Sequence, residues 1–349
     1  MPLMNNESKP SRQAGDHPPL LSMVIVNWNT RDALRDCLAS LFEQTGSLTL
    51  EVIVVDNAST DDSLDMLKAD FPQVRVIANT INLGFARACN QGMRVARGRL
   101  LLLLNSDTYV RDDVIARMAA YLLSRPDIAM AGCQLQYPDG RIQHTAFRSL
   151  SIRRSLFEDL WLYKLLPATR GADLLLGGYW PSDTEKEVDW LAGAFMMLRR
   201  EIFLQTDGFA EEFFMYGEDS EWCMRIRRSG GRIMFNPLGV VYHIGSLSSD
   251  MEWTPKERLR LCHLGGLRAY TRLNGRLPGL FFHLARLLGT AVRSAVYTLL
   301  TSFTSNVYYK SQRQVYGWQM GFYLRAFGYI YGNSAARPLK REKDSPTFS

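Results

Sequence analysis

Disulfide frameworks, structural zinc motifs and the familiar phosphate-binding loops are all missing from this 349-residue sequence. The five cysteines are odd in number and widely scattered, and none belongs to a CxxC pair. This pattern argues against a disulfide scaffold or a structural zinc site and fits a reducing compartment. Neither GxxxxGK(S/T) nor a GxGxxG after the first apolar run is present, so a P-loop NTPase or a Rossmann dehydrogenase would have to hold its phosphates in another way.

The N-terminus lacks an apolar segment, and the charges are unevenly distributed. Residues 1–20 are polar, so we predict a disordered tail there and not a secretory signal. From Lys256 to the end, 15 Lys and Arg face three acids. The whole chain has 41 basic and 35 acidic residues, which leaves 26 basic and 32 acidic residues before position 256. An acidic first part is compatible with a metal site, whereas a basic tail suits a membrane, a lipid phosphate or a nucleic acid.

Short apolar runs alternate with helical stretches in the first third of the chain. The runs are Ser22–Val26, Glu51–Val55, Val74–Ala78 and Leu100–Leu104. Such runs predict an α/β fold, with a doubly wound, mostly parallel sheet covered by helices on both faces. Polar residues follow these runs, at the sheet edge where ligands bind in this class. We predict one catalytic domain over residues 21–250.

Asp107 follows the all-leucine run Leu100–Leu104. A carboxylate at this point can hold a hard divalent cation between itself and a diphosphate, which would replace the missing phosphate loop. The alternative is that Asp107 caps the next helix, because Asp is a good N-cap residue.

Five motifs occur in an order that resembles one enzyme family. They are Val26–Asn29, Val55–Asp61, Asn82–Ala86, Asn105–Asp107 and Phe213–Arg225. Together they resemble the family-2 glycosyltransferases of GT-A fold, and most of all the bacterial rhamnosyltransferases of cell-surface polysaccharide assembly. The resemblance implies transfer of a sugar from a nucleoside diphosphate, and it is more specific for the family than for the sugar.

The resemblance also implies a nucleotide-binding set. Its members are Asn27, Asn29, Asp56, Asn82, Gly84 and Asn105. Asp56 would accept the N3–H of uracil or thymine, as the corresponding aspartate does in the family. Asp56 and Asn82 have an alternative role as turn residues.

The metal motif departs from the family's usual Asp-x-Asp, because Asn105 occupies its first position. Asp107, diphosphate oxygens and waters would then complete an octahedral Mg²⁺ or Mn²⁺ site. His243 is a further candidate ligand or diphosphate contact, as a comparable histidine is in several relatives. Its alternative role is purely structural.

An acidic cluster, Glu218, Asp219 and Glu221, supplies the catalytic candidates. Asp219 is the predicted base because it aligns with the family's catalytic aspartate, and neighbouring carboxylates raise one another's pKa. Glu221 would hold the acceptor and pair with Arg225 at i+4. Trp190 and Gly193 resemble the family segment that forms the pocket floor beside the reacting sugar. The alternative for the cluster is an ordinary acidic helix N-terminus.

Residues 251–349 are predicted to form a basic, amphipathic helical extension. One face of the predicted helix carries Leu277, Phe281, Leu284, Leu288, Ala291 and Ala295, while Arg286 and Arg293 lie opposite. These charges make the segment a poor transmembrane span, so it is predicted as an interfacial or dimer-contact helix. Packing of the helices on the catalytic domain is the alternative.

The predicted function is an inverting, Mg²⁺- or Mn²⁺-dependent sugar transfer, with dTDP-rhamnose as the expected donor and a saccharide or lipid-linked saccharide as acceptor. A UDP-sugar donor is the first alternative; a nucleotidyltransferase and a non-enzymatic nucleic-acid binder are weaker ones. We expect a cytoplasmic protein that associates peripherally with the anionic inner face of the plasma membrane. We expect no nucleic-acid partner, and a homo-oligomer is one option for its assembly.

Overall fold

A computed structural model of the chain describes residues 18–44, 48–245 and 247–331. The predicted tail up to residue 17 and the end of the predicted extension, residues 332–349, lie outside these ranges. The strands are β1 (Leu21–Asn27), β2 (Leu50–Asp56), β3 (Arg75–Ala78), β4 (Leu100–Asn105), β5 (Thr108–Val110), β6 (Ile128–Gln136), β7 (Ile142–Gln143), β8 (Ala146–Phe147), β9 (Lys186–Val188), β10 (Trp190–Leu191), β11 (Phe195–Arg199) and β12 (Arg232–His243). The helices are α1 (Arg31–Gln44), α2 (Ser63–Asp70), α3 (Phe85–Val95), α4 (Val114–Ser124), α5 (Ile152–Asp159), α6 (Ala168–Leu175), α7 (Arg200–Thr206), α8 (Glu218–Arg228), α9 (Leu247–Glu252), α10 (Pro255–Asn274), α11 (Arg276–Phe303) and α12 (Val307–Tyr331).

The central sheet has the strand order β3-β2-β1-β4-β11-β6-β12-β5. Strands β3, β2, β1 and β4 run parallel, as do β6 and β12, whereas β11 is antiparallel to both of its neighbours. The predicted α/β class with a mostly parallel, doubly wound sheet is therefore confirmed, with β11 as an antiparallel insertion.

Both faces of this sheet are buried, as its continuous apolar strands predict. Within β1, Met23 and Ile25 belong to a core cluster on one face, and Val24 belongs to the cluster on the other. The leucines of β4 divide between the two clusters in the same alternating way. Burying each such side chain contributes roughly 1.5–3 kcal/mol, so the sheet is a stable platform for a site at its edge.

A helical extension, consisting of α10, α11 and α12, follows the sheet. Helix α10 begins at a capping box, in which Thr254 Oγ1 accepts from the Glu257 N–H and Glu257 Oε2 accepts from the Thr254 N–H. The three helices share a core that includes Leu264, Phe282 and Tyr323. Within the residues that the structure describes, no helix is long and apolar enough to cross a membrane.

Candidate active site

A cavity of about 270 Å³, which we call the catalytic cavity, opens at the carboxyl edge of the parallel strands. Its wall includes residues from the loops after β1, β2 and β4, from the end of β12 and from the start of α8. The predicted site residues that line it are Asn82, Gly84, Asn105, Asp107, Gly193, Glu218, Asp219 and His243. Residues far apart in the sequence are thus brought together at the edge where this fold class binds ligands.

Strand pairing brings Asp107 and His243 together. Strand β5 is antiparallel to the end of β12, with Thr108 opposite His243. As a result, His243 Nε2 lies 3.1 Å from Asp107 Oδ1 and 3.2 Å from Asn105 Nδ2. Asp107 is buried, and its Oδ2 accepts from the backbone N–H of Gly245 at 3.1 Å.

Gln143 orients the His243 ring through two hydrogen bonds. Its Nε2 donates to the His243 carbonyl oxygen at 2.7 Å, so its Oε1 faces His243 Nδ1, also at 2.7 Å. Since Oε1 only accepts, Nδ1 carries the proton in the neutral ring, and the Nε2 lone pair is directed at Asp107 and Asn105. An imidazole held in this way resembles a metal ligand whose other nitrogen is fixed by a neighbouring residue.

These donors fit a hard divalent cation that is shared with a diphosphate. Burial raises the pKa of Asp107, whereas the hydrogen bond and charge that the His243 ring supplies in its protonated form, together with backbone N–H donors, lower it by more, so the pKa stays below its usual range. Asp107 would therefore be an anionic oxygen ligand at neutral pH, beside one imidazole. In the described part of the chain, no three His, Cys, Asp or Glu residues are grouped as a metal cage. A cation at this point would consequently need oxygens from a bound diphosphate or from water.

Glu218 and Asp219 form a buried pair of carboxylates at the start of α8. Asp219 Oδ1 accepts from the Ser220 N–H at 2.7 Å, and the carboxylate also accepts from the backbone of Gly193. Burial raises the pKa of both groups, and the charge of Asp219 raises that of Glu218 further. Glu218 Oε2 has no hydrogen-bond partner among the described residues. Glu218 therefore takes a proton first and leaves Asp219 as the ionised member.

A close backbone approach joins the nucleotide loop to the acidic motif. The Phe85 N–H donates to the carbonyl oxygen of Phe214 at 2.8 Å. Gly84 has a φ of +84°, and a Cβ there would lie 2.5 Å from the same oxygen. A glycine is therefore required at this position by both conformation and space.

Asn27, Asn29 and Asp56 lie outside the described wall of the catalytic cavity. Asp56 is fully buried: Oδ2 accepts from Asn27 Nδ2 at 2.8 Å, and Oδ1 accepts from the Ser59 N–H at 2.9 Å. Asn29 Oδ1 accepts from the Thr60 N–H at 2.7 Å. The three residues tie the loops after β1 and β2 together.

Glu221, Arg225 and Trp190 also lie away from the described wall of the catalytic cavity. Glu221 is fully buried and pairs with Arg225 Nε at 2.9 Å, as the i, i+4 spacing predicts, and with Arg272 Nε at 3.1 Å. Arg225 also donates to the carbonyls of Thr206 and Gly208. Trp190 stacks on Phe147 and lines a second cavity, described below.

Several residues of the cavity wall are not among the predicted site residues. Trp28 and Asn57 lie inside quoted motifs, so the motifs could have indicated them. Glu252 and Trp253 come from the region assigned by sequence to the extension. Gln143, which contacts His243 from outside the wall, lies on a two-residue strand without any sequence signal. The cavity therefore draws on both sides of the predicted boundary at residue 250.

Two family models match the chain. The model of glycosyl transferase family 2 matches residues 22–175, and a model described as the N-terminal domain of galactosyltransferase matches residues 181–246. The match boundaries enclose every predicted site residue, with Asp107 in the first match and Asp219 and His243 in the second.

Individual relatives agree with these matches. An O-antigen biosynthesis protein of Myxococcus xanthus is 26% identical over 68% of this chain. This chain spans only 18% of the length of that protein, and only 26% of the length of another curated relative. An N-acetylglucosaminyl-diphospho-decaprenol L-rhamnosyltransferase of Mycobacterium tuberculosis is 25% identical over 64% of this chain and 76% of its own length. A mannosyltransferase from Pyrobaculum calidifontis, solved with GDP-Man and Mn²⁺, superposes with a TM-score of 0.57 at 15% identity over 89% of this chain and 87% of that one, which shows a shared fold. The chain therefore shares the GT-A fold, and its residues 22–175 match glycosyltransferase family 2.

Proposed function

We propose that the chain is an inverting glycosyltransferase that moves a sugar from a nucleoside diphosphate to a hydroxyl group of a saccharide or lipid-linked saccharide. The observation that carries the proposal is that the carboxylate pair Glu218–Asp219 and the Asp107–His243 pair line one cavity. The carboxylate pair can take up a proton. The Asp107–His243 pair can hold a divalent cation, whose positive charge would balance the negative charge of a diphosphate. Direct displacement of a nucleoside diphosphate needs both functions.

Asp219 acts as the base in this proposal. Its carboxylate accepts the proton of the acceptor hydroxyl while the oxygen forms a bond to the anomeric carbon. The bond between that carbon and the diphosphate oxygen breaks, and its electron pair leaves with the nucleoside diphosphate. Because the attack opposes the leaving group, the configuration at the anomeric carbon inverts. The raised pKa of Asp219 favours this proton uptake near neutral pH.

Asp107 and His243 would hold Mg²⁺ or Mn²⁺ in this proposal, with Asn105 alongside. When bound, the ion would stabilise the negative charge of the diphosphate. Gln143 would leave the His243 Nε2 lone pair available to such an ion.

We propose dTDP-rhamnose as the donor, with a UDP-sugar as the alternative. The similarity to a mycobacterial rhamnosyltransferase supports the first choice. Asp56 stays the proposed reader of the pyrimidine N3–H: a carboxylate has about four acceptor sites, and two hydrogen bonds to it are described. Because Asp56 has no exposed surface, the loop after β2 must shift to admit a base.

A peripheral position on the anionic inner face of the plasma membrane is the proposed cellular setting. Residues 256–331 contain eleven Lys and Arg against Glu257 alone, so this part would be attracted to acidic lipid. Lipid-linked acceptors lie at such a surface, and the exposed face of α11 discussed below would contact it.

Asp219→Asn tests the proposed chemistry. Transfer from dTDP-rhamnose or a UDP-sugar in Mn²⁺ should fall by roughly 10²–10⁴-fold, the usual contribution of a positioned general base. Thermal shifts should show that dTDP and UDP still protect the variant, whereas ADP and GDP protect neither protein. Near-normal turnover in the variant, or a product that keeps the donor's anomeric configuration, would contradict the mechanism.

A further inference from the structure

A second cavity, of about 340 Å³, lies between the catalytic unit and the helical extension. We call it the arginine cavity, because Arg148, Arg154 and Arg286 line it. Trp190 and Phe147 also line it, and their rings stack with centroids 4.2 Å apart and planes at 19°. Aromatic faces beside polar donors are the usual composition of a saccharide site, where the apolar face of a sugar ring rests on an aromatic ring.

The arginines of this cavity exceed their carboxylate partners. Asp189 serves three guanidinium groups, those of Arg148, Arg154 and Arg227, at 3.8, 3.6 and 3.4 Å. Asp159 serves the guanidinium groups of Arg286 and Arg293, at 2.9 and 3.9 Å. Of these five arginines only Arg148, Arg154 and Arg286 line the cavity; Arg227 also pairs with Glu187 at 3.1 Å, and Glu158 adds a negative charge at the wall. Among the described residues, Arg148 and Arg154 form ion pairs only with the shared Asp189 carboxylate, so their side of the cavity favours an anionic ligand.

Arg154 is the least satisfied of the wall arginines. In the described part of the chain, the contacts of its guanidinium all use Nη1, which leaves Nε and Nη2 for a ligand. Burial lowers its pKa, the charge of Asp189 opposes this, and the neighbouring Arg148 lowers it further. An anion would relieve both unfavourable effects.

A chain of hydrogen bonds fixes His263 as a neutral donor. Arg286 Nε donates to Tyr323 Oη at 3.2 Å, so the Tyr323 hydroxyl directs its own proton to His263 Nδ1 at 2.9 Å. Burial, and then the charge of Arg286, lowers the pKa of His263 to about 3, which keeps the ring neutral with its proton on Nε2. That buried Nε2 has no acceptor among the described residues. An unpaired buried donor in a cavity wall indicates a missing ligand oxygen.

The arginine cavity is next to the catalytic carboxylates. Trp190 on its wall is followed within three residues by Gly193, which lines the catalytic cavity and donates to Asp219. Cys262 lines the arginine cavity, and burial together with the charges of Asp219 and Glu218 raises the pKa of its thiol to about 11. The arginine cavity and Asp219 are therefore neighbours through Gly193 and Cys262.

We propose that the arginine cavity binds the acceptor, and that the acceptor is a saccharide carrying an anionic group, either a phosphate or a carboxylate. The inference rests on the proposed transferase function. Trp190 and Phe147 would contact the sugar ring, Arg154 would bind the anion and His263 would donate to a further oxygen.

Calorimetric titration of the full chain tests this proposal. Saturating dTDP and Mn²⁺ occupy the catalytic cavity, and N-acetylglucosamine 1-phosphate, glucuronic acid and neutral N-acetylglucosamine are titrated separately at millimolar concentrations. We expect an anionic probe to bind, and Arg154→Gln to weaken it by about tenfold or more, as loss of a charged hydrogen bond does. Arg153→Gln, on the exposed side of the same helix, should bind like the native protein, and Arg154→Lys should recover part of the affinity.

The outcomes separate the two anion sources and the two proposals. Preference for the sugar phosphate indicates a phosphate-bearing acceptor, such as a lipid-linked one, whereas preference for glucuronic acid indicates an acidic sugar. The inference would be overturned if neither anionic probe binds, or if a probe binds the Arg154→Gln variant as tightly as the native protein. It would also be overturned if dTDP displaces the probe. The proposed function would instead be contradicted if the native protein does not bind dTDP, or if its transfer activity does not depend on Asp219. Either result would hold whether or not the anionic probes bind.

Discussion

Glu218 and Asp219 are adjacent in sequence and buried together, yet their surroundings differ in one respect. Asp219 receives backbone N–H donors from Gly193 and Ser220; the Glu218 carboxylate receives backbone hydrogen bonds from Tyr216 and Glu218, but its Oε2 has no hydrogen-bond partner within the described residues. Hydrogen bonds stabilise the ionised form, so the two carboxyl groups share one proton that resides on Glu218. Because the protonated Glu218 is neutral, it adds no negative charge beside an incoming diphosphate. Asp219 stays ionised and available as the base.

Glu218→Gln should change the pH dependence of stability. A carboxyl group whose pKa is higher in the folded chain binds more protons there, so the free energy of unfolding falls as the pH rises from the unfolded pKa of about 4.5 toward the raised one. In urea unfolding at pH 8–9, the free energy of unfolding of the variant should therefore exceed that of the native protein by about 1 kcal/mol or more. At pH 5 the two proteins should be nearly equal.

Glu221→Gln is the control for this prediction, because it makes the same change three residues later. Glu221 is paired with Arg225 and Arg272, so the control should lower the free energy of unfolding by about 1–3 kcal/mol at pH 7–9. A Glu218→Gln variant that is destabilised at pH 8–9 like this control would contradict the assignment of a protonated Glu218.

At the scale of elements, α11 turns its charges inward and its apolar residues outward. Arg286 Nη1 pairs with Asp159 of α5 at 2.9 Å, and Arg293 Nε donates to the carbonyl oxygen of the same residue at 2.8 Å. The opposite face, which we call the apolar face, carries Leu277, Phe281, Leu284 and Leu288 at 64%, 54%, 42% and 55% exposure. Arg276 precedes this face, while Phe303, Val307 and the exposed Lys310 follow it at the turn into α12. Apolar residues flanked by cations suit the interface of an anionic bilayer.

Phe281→Asp combined with Leu288→Asp should abolish sedimentation of the protein with vesicles that contain acidic lipid. The native protein should bind at low salt and be released at high salt, because screening weakens the attraction. Leu204→Asp is the matched control: Leu204 is 63% exposed on α7, in the catalytic unit, and its substitution should leave vesicle binding unchanged. If the double variant still sediments but changes its oligomeric state, the apolar face is a dimer contact instead.

The sequence predicts individual elements better than it predicts which elements touch. The run Leu100–Leu104 is apolar enough to indicate a buried strand, and it forms most of β4. The 3.6-residue period of α11 separates leucines from arginines, but no periodicity tells which of the two faces meets α5. Gln143 is a polar residue on a two-residue strand, and only the pairing of β6 with β7 and β12 places it beside His243. Asp56 was recognisable from its motif, but its enclosure by Asn27 and Ser59 depends on the fold.

At the scale of the whole molecule, the helical extension is fastened to the acidic motif and so can influence catalysis. Arg272 of α10 pairs with Glu221 of α8, and also with Glu212 at 2.7 Å. The backbone of Gly265 on α10 packs against that of Tyr216 and Gly217, directly before Glu218. Any movement of α10 therefore displaces the segment that positions both carboxylates, and it also reshapes the arginine cavity.

Gly265→Ala should disturb the contact between α10 and the segment that precedes Glu218. A Cβ at Gly265 would overlap the carbonyl oxygen of Tyr216, which is backbone and cannot rotate away. We expect the free energy of unfolding to fall by about 1–3 kcal/mol, the usual cost of overpacking, and turnover to fall more than donor affinity, because the Glu218–Asp219 pair shifts. Gly266→Ala, one residue further, is the matched control: its Cβ would lie 3.6 Å from Leu150 Cδ1, an ordinary contact. Since alanine favours a helix over glycine by up to about 1 kcal/mol, this control should be as stable as the native protein or slightly more so. Urea unfolding and initial rates of both variants measure the difference, and equal behaviour of the two would mean that α10 is not coupled to the acidic motif.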